Sequence, residues 1–179
     1  MKGRLIVLDH HKGQQIAALM VDGRLDDVWF DTEAPRPGTI YRAIADRPVK
    51  GMGGMFVKTP DGPGFLRQAK GLSPGQPILV QLTSYAEPGK ALPLTRKILF
   101  KSRFAIVTPD APGLNISRSI RDEEQRETLM AIAHSEMGKS DMGLILRSCC
   151  VTADSSAIAE DINAMADLAT QILAEQTGV

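Results

Sequence analysis

The chain has 179 residues, 43% of them hydrophobic and 23% charged, which excludes wholesale disorder and leaves room for one ordinary domain or two small ones. The formal net charge is zero, yet it is unevenly laid out: residues 1–35 carry 4 Lys/Arg against 6 Asp/Glu, residues 36–121 carry 14 against 4, and residues 122–179 carry 3 against 11. No apolar run approaches the ~18 residues that span a bilayer, and Leu5 to Leu8 behind the basic start is too short for a signal-peptide core, so the expectation is a cytoplasmic chain with no membrane span.

In chain order, Arg4 to Leu8, Ile16 to Val21 and Leu25 to Phe30 are apolar runs. Asp22-Gly23 between the last two is a strong hairpin signal, because a primed turn needs positive φ at both central residues. The first 30 residues therefore read as three antiparallel strands, followed by the Pro- and Gly-rich linker Thr32 to Gly38. From Thr39 to about Thr95 come five short strands, TIYRAIA, MFVK, GFLRQA, ILVQLTS and ALPLT, separated by glycine and proline corners. Their spacing predicts a small closed barrel of the OB type over residues 36–99. In residues 100–179 a strand ends near Pro109, and Asp122 opens a helix with Glu123 and Glu124 at its positive end and Gly138 after it. Leu144 to Leu146 is a buried strand, and Ile158, Ile162, Met165, Leu168 and Ile172 form the stripe of a second helix. The overall expectation is α+β: a β-hairpin segment, a five-stranded barrel and a small α/β subdomain.

The basic middle is suited to a polyanion, with docking on the acidic tail as the lesser alternative. Phe56 and Phe65 face each other in a hairpin within it. Open to solvent, they would stack on bases while nearby Lys and Arg hold phosphates; turned inward, they would fill the barrel. Lys90, at the tip of Pro88-Gly89-Lys90, can reach nucleic acid or be a solvated surface lysine. Arg147-Ser148, at the end of the strand GLILRS, offers a guanidinium fork and a hydroxyl to a phosphate, or pairs with a nearby acid. Asp9-His10-His11 has poor metal-ligand spacing, since neighbours on a strand point to opposite faces. Cys149-Cys150 reads as a buried pair that cannot close a relaxed disulfide. No nucleotide-binding, zinc-protease, hydrolase-elbow or EF-hand motif is present, and no metal is called for by the residues.

A longer pattern emerges from several segments together: Ala18 to Gly23, Ile40-Tyr41, Phe56-Val57, Gly64-Phe65-Leu66, Gly75-Gln76, Val80-Gln81, Lys90 with Leu94-Thr95, Ile116-Ser117-Arg118 and Met142 to Ser148. In this order, over nearly the whole chain, they resemble the N-terminal region of the ribonuclease E/ribonuclease G family. The resemblance implies that residues 1–35 are part of a ribonuclease-H-like domain, residues 36–99 an OB-fold RNA-binding domain and residues 100–179 a 5′-sensor domain. It implies that Phe56, Phe65 and Lys90 contact single-stranded RNA, and that Arg147, the Ser148 hydroxyl and the backbone of Ile106 receive its 5′-monophosphate.

The family hydrolyses RNA internally with a Mg²⁺-assisted water, in RNA processing and decay. Its catalytic aspartates and zinc link are not among these residues, so no cofactor and no cleavage by this chain alone are expected. A non-catalytic RNA-binding regulator and a protein-interaction module with a basic barrel remain alternatives, and homo-oligomerisation is left open. The sequence departs from the family pattern in having Ser148 for threonine, Arg42-Ala43 for lysine-glycine, Ser102 for glycine and Ser119 for a second arginine. The last two predict weaker phosphate binding.

Overall fold

A computed structural model describes residues 2–32, 34–51 and 53–175. Met1, Glu33 and residues 176–179, on which the outer limits and first linker of the expected segments fall, lie outside the described residues, as does Met52. The chain divides into two compact units, residues 1–34 and 35–179.

The first unit is a three-stranded antiparallel sheet in the order β1 (Arg4–His11), β2 (Gln14–Val21), β3 (Arg24–Phe30). The Asp22-Gly23 turn has φ of 50° and 80°, the left-handed geometry its sequence demands. Lys12-Gly13 makes a second such turn, with φ of 51° and 84°, and carries both flanking strands further than their apolar runs suggest. The sheet leaves Leu5, Ile6, Val7 and Leu8 exposed on its own.

The second unit opens with a barrel. Strands β4 (Ile40–Val49), β5 (Gly54–Thr59), β6 (Gly62–Leu66), β7 (Pro77–Leu82) and β8 (Leu92–Thr95) close in the order β4-β5-β6-β8-β7. Closure comes from β7 pairing back onto β4, and β6 meets β8 in parallel. The barrel is therefore OB-like, as expected. The third strand stops at Leu66, and Arg67-Gln68-Ala69 leaves the ladder instead of extending it. Alternation sorts side chains cleanly: Tyr41, Ala43, Val57, Leu66, Val80 and Leu82 point into one core cluster. The Tyr41 hydroxyl is buried in the barrel beside the Asp61 carboxylate. Burial first, then the nearby Asp61 carboxylate, pushes its ionisation up from 10.0 to about 12.

Next comes a four-stranded sheet in the order β11 (Leu114–Ile116), β12 (Gly143–Leu146), β10 (Ala105–Thr108), β9 (Phe100–Lys101). Two helices, α1 (Glu123–Met137) and α2 (Ser155–Ala174), pack with it over a second core that includes Val107, Leu144, Leu146, Ile158 and Ile162. Asp122 caps α1 by accepting the Gln125 N–H at 2.8 Å, and Gly138 ends the helix. Leu168, expected on the buried stripe of α2, is instead 40% exposed, and Ala169 takes the buried place. At about 100° per residue Leu168 stands roughly 80° around the helix from Ile158, whereas Ala169 stands only about 20° from it. Gly143 is forced: a Cβ there would lie 1.8 Å from the Ala111 carbonyl oxygen, which crosses over it.

The outer surface of the barrel is not uniform. Ile40 and Leu79 pack against the α/β core. Gln81 clips the same side, donating to the carbonyls of Gly38 (3.0 Å) and Leu99 (2.9 Å) and accepting the Leu99 N–H (3.0 Å). An exposed ion pair between Arg42 on β4 and Glu175 just past α2 adds a further tie.

Candidate nucleic-acid interface

Phe56 on β5 and Phe65 on β6 are direct partners in the ladder. Their chain neighbours Met55, Val57, Gly64 and Leu66 point inward, so the period of two sends both phenyl rings outward. Each is half-buried, with ring centroids 5.4 Å apart and planes tilted by 57°. The rings do not fill the barrel. Gly54 makes this placement feasible: a Cβ there would lie 2.5 Å from Phe65 Cζ and 2.9 Å from the Leu66 carbonyl oxygen. The Arg47 guanidinium sits 5.0 Å from the Phe56 ring centroid, a cation–π contact. Sequence reasoning missed Arg47; it lies across the bulge between Ala45 and Pro48, which re-aims that end of β4.

Both rings line a groove of about 1450 Å³. Lys90 lines it too, paired with Glu87 at 2.5 Å. Arg67, Lys70, Arg96 and Lys97 add cations to the wall, against the acids Glu87 and Asp110. Five of the 14 Lys/Arg of residues 36–121 therefore line the same groove as the aromatic pair. These four cations had no individual signal beyond that regional surplus. Surface pairing of Lys90 with Glu87 is worth little in water, so it does not remove the lysine from use.

Arg147, Ser148 and Ile106 lie elsewhere in the same unit and do not line this groove. Ala105 pairs with Leu146, which brings the end of β12 beside the turn that enters β10. Arg147 is exposed and donates through its guanidinium to the Ser102 carbonyl, while its backbone N–H donates to the Phe104 carbonyl at 2.8 Å. It forms no ion pair with an acid among the described residues. Ser148 is exposed at the start of a 3₁₀ turn (Ser148–Thr152). Ile106, half-buried on β10, pairs with Ile145 on one side and Lys101 on the other.

The turn that holds Arg147 is fixed from behind by Asp161 of α2. Its carboxylate accepts from the Ser102 hydroxyl (2.5 Å), the Phe104 N–H (2.8 Å) and the Ala105 N–H (3.1 Å). Asp161 was legible in principle: it is an acid between the buried Ile158 and Ile162 of an amphipathic helix. The network also explains how serine sits at position 102. Its hydroxyl is engaged by Asp161, leaving the carbonyl for Arg147.

Cys150 is buried, but Cys149 is exposed, correcting the expectation of a buried pair. The 3₁₀ turn separates them, and the Cys149 thiol meets the Arg103 carbonyl at 2.8 Å. His10 and His11 are exposed on β1. Among the described residues no three His, Cys, Asp or Glu side chains are grouped to hold a metal.

The second unit thus combines a closed five-stranded barrel, an α/β sheet and two outward aromatics in a cationic groove. Residues 100–178 match the model of the ribonuclease E/G family. The chain is 27% identical to ribonuclease E of Synechocystis sp. in an alignment of 179 positions, gaps included, that covers 90% of the chain. It is 26% identical to ribonuclease E of Nostoc sp. in an alignment of 182 positions that covers 92% of the chain. A probable ribonuclease FAU-1 of Staphylothermus marinus is 32% identical over 100 residues, 55% of the chain and 21% of that relative. Residues 100–178 are thus similar to the ribonuclease E/G family, and most of the chain aligns with part of ribonuclease E relatives. The chain spans 26% of the length of each of these two ribonuclease E relatives. Among the described residues no helix is long and apolar enough to cross a membrane.

Proposed function

We propose that this region binds RNA for a ribonuclease E/G-type endoribonuclease of RNA processing and decay, gripping a single strand in the barrel groove and reading its 5′-monophosphate. The observation that carries the reading is the pair of outward phenyl rings, in ladder register, inside a groove rich in Lys and Arg. Bases stack on Phe56 and Phe65, and Lys90 and its neighbouring cations hold the phosphates between them. Stacking is indifferent to base identity, so the groove takes single strands with little sequence preference. Duplex RNA, whose bases are already stacked, is a poor ligand.

The 5′-phosphate is received at Arg147, the Ser148 hydroxyl and the backbone of Ile106. Arg147 makes no ion pair with an acid among the described residues, so its charge remains available to a phosphate; its guanidinium is aimed by the Ser102 carbonyl. A guanidinium fork and a hydroxyl fit a terminal phosphoryl group better than a phosphodiester, which offers one fewer free oxygen. The described residues do not fit a Mg²⁺ site, and no hydrolytic step is assigned to them. Binding without cleavage by these residues and a cytoplasmic location belong to the same reading.

The test is fluorescence anisotropy with matched single-stranded oligonucleotides bearing a 5′-monophosphate or a 5′-hydroxyl. The native chain should prefer the monophosphate. Arg147→Ala should abolish the preference while retaining groove binding, and Phe56→Ala should weaken both ligands by about fivefold or more. Binding that is indifferent to the 5′ end in the native chain would remove the sensing half of the reading. Binding unchanged in Phe56→Ala and Phe65→Ala would remove the groove half.

A further inference from the structure

We propose that Tyr85 is a third base-stacking platform in the barrel groove, extending the single-stranded footprint from the Phe56–Phe65 pair onto the loop between β7 and β8. The inference rests on the reading of the groove as a single-strand site. Tyr85 lines the same groove as the two phenylalanines and Lys90. At 61% it is the most exposed large apolar side chain described in the second unit.

That exposure is set by the fold and is not left to chance. The next residue, Ala86, packs against the barrel core, which leaves the preceding ring on the outer side of the loop. The roots of the loop are tied to each other: the Thr83 N–H and hydroxyl reach the Pro93 carbonyl at 2.9 and 3.0 Å. Within the loop the Lys90 N–H reaches the Glu87 carbonyl at 2.9 Å. A tyrosine on a pinned loop has only two side-chain torsions to fix on binding, so stacking on it loses little entropy. Its neighbour in the groove, Lys90, supplies the phosphate contact that a stacked nucleotide needs.

The chemistry favours a nucleic acid over a protein partner. Cations outnumber acids on the groove wall, with Arg67, Lys70, Lys90, Arg96 and Lys97 against Glu87 and Asp110, which suits a polyanion. Phe56 already has Arg47 over its ring, so part of its stacking capacity is occupied in the free protein. A further open ring enlarges the footprint beyond what the phenyl pair offers.

The full chain is titrated with single-stranded oligoribonucleotides carrying one abasic nucleotide at successive positions, and read by anisotropy. With the native protein, abasic sites should weaken binding at the positions served by Phe56 and Phe65 and at one further position. Tyr85→Ala should weaken binding of the intact oligonucleotide about fivefold or more and make that further position insensitive to base removal. Tyr85→Phe, which keeps the ring, should restore both. Circular dichroism of each variant reports that the fold is retained.

If Tyr85→Ala binds as tightly as the native chain while Phe56→Ala binds more weakly, Tyr85 is no platform and the groove reading stands. If none of the three aromatic substitutions changes binding, the groove reading fails and takes this inference with it. Preferential binding of an acidic peptide over RNA, equally sensitive to Tyr85→Ala, would assign the ring to a protein partner and overturn the proposal.

Discussion

Removing Asp161 should cost this unit more than its position on a helix surface suggests. The carboxylate oxygen accepts from the Ser102 hydroxyl, the Phe104 N–H and the Ala105 N–H, all part-buried. In Asp161→Ala the Ala105 N–H retains the Ser102 hydroxyl at 3.2 Å, and that hydroxyl retains the Ala105 carbonyl at 3.1 Å. The Phe104 N–H is left unsatisfied, at about 1–3 kcal/mol, and two further charge-assisted bonds are lost or weakened. The expected loss is about 2–4 kcal/mol, a large share of a typical domain's 5–15. Asp161→Asn keeps an acceptor oxygen in place without its charge and should cost roughly half as much. Urea unfolding followed by far-UV circular dichroism measures both, because α1 and α2 belong to the second unit. The reasoning fails if Asp161→Ala falls within about 0.5 kcal/mol of the native chain, or if asparagine is as damaging as alanine.

Two other perturbations follow from local geometry. Gly54→Ala places a Cβ against the Phe65 ring and the Leu66 carbonyl, so it should cost about 1–3 kcal/mol by overpacking and also weaken oligonucleotide binding. Native stability together with native affinity would contradict it. Burial, then the neighbouring Cys149, pushes the Cys150 thiol up from 9.0 to about 11. The fold favours the neutral thiol, so this stabilisation is complete below pH about 9 and is lost as the pH rises to about 11. Cys150→Ala should flatten that part of the alkaline decline in urea midpoint, and identical declines in the two proteins would exclude the assignment.

Much of the architecture was legible because strict local rules were obeyed. Asp22-Gly23 could only be a tight turn, and Asp122 and Gly138 bounded α1 by capping chemistry alone. The barrel strands were found from their corner glycines and prolines. What stayed hidden was set by tertiary placement. Strands β9 and β11, two and three residues long, have no period to detect and exist because neighbouring strands pair with them. Cys149 and Cys150 look alike in sequence, and only the 3₁₀ turn after β12 decides which one is covered. Arg47, Arg96 and Lys97 could not be told from other surface cations until the barrel closed and gathered them.

The two phenylalanines mark the limit of what alternation can say. A period of two fixes which residues share a face, yet it does not fix whether an outward face is later covered. Ile40 and Leu79 also point out of the barrel, and the α/β core buries them. Phe56 and Phe65 point out beside β8 and remain half-open. Leaving a phenyl ring partly in water forgoes on the order of 1 kcal/mol of burial relative to a sealed one, and a strand at this position needs no aromatic residue to form its ladder. Folding therefore accounts for the inward residues of β5 and β6 but not for the rings between them. Their tilt, their separation and the cations along the same wall are what the proposed single-strand grip requires, a face for a base and a charge for its phosphate.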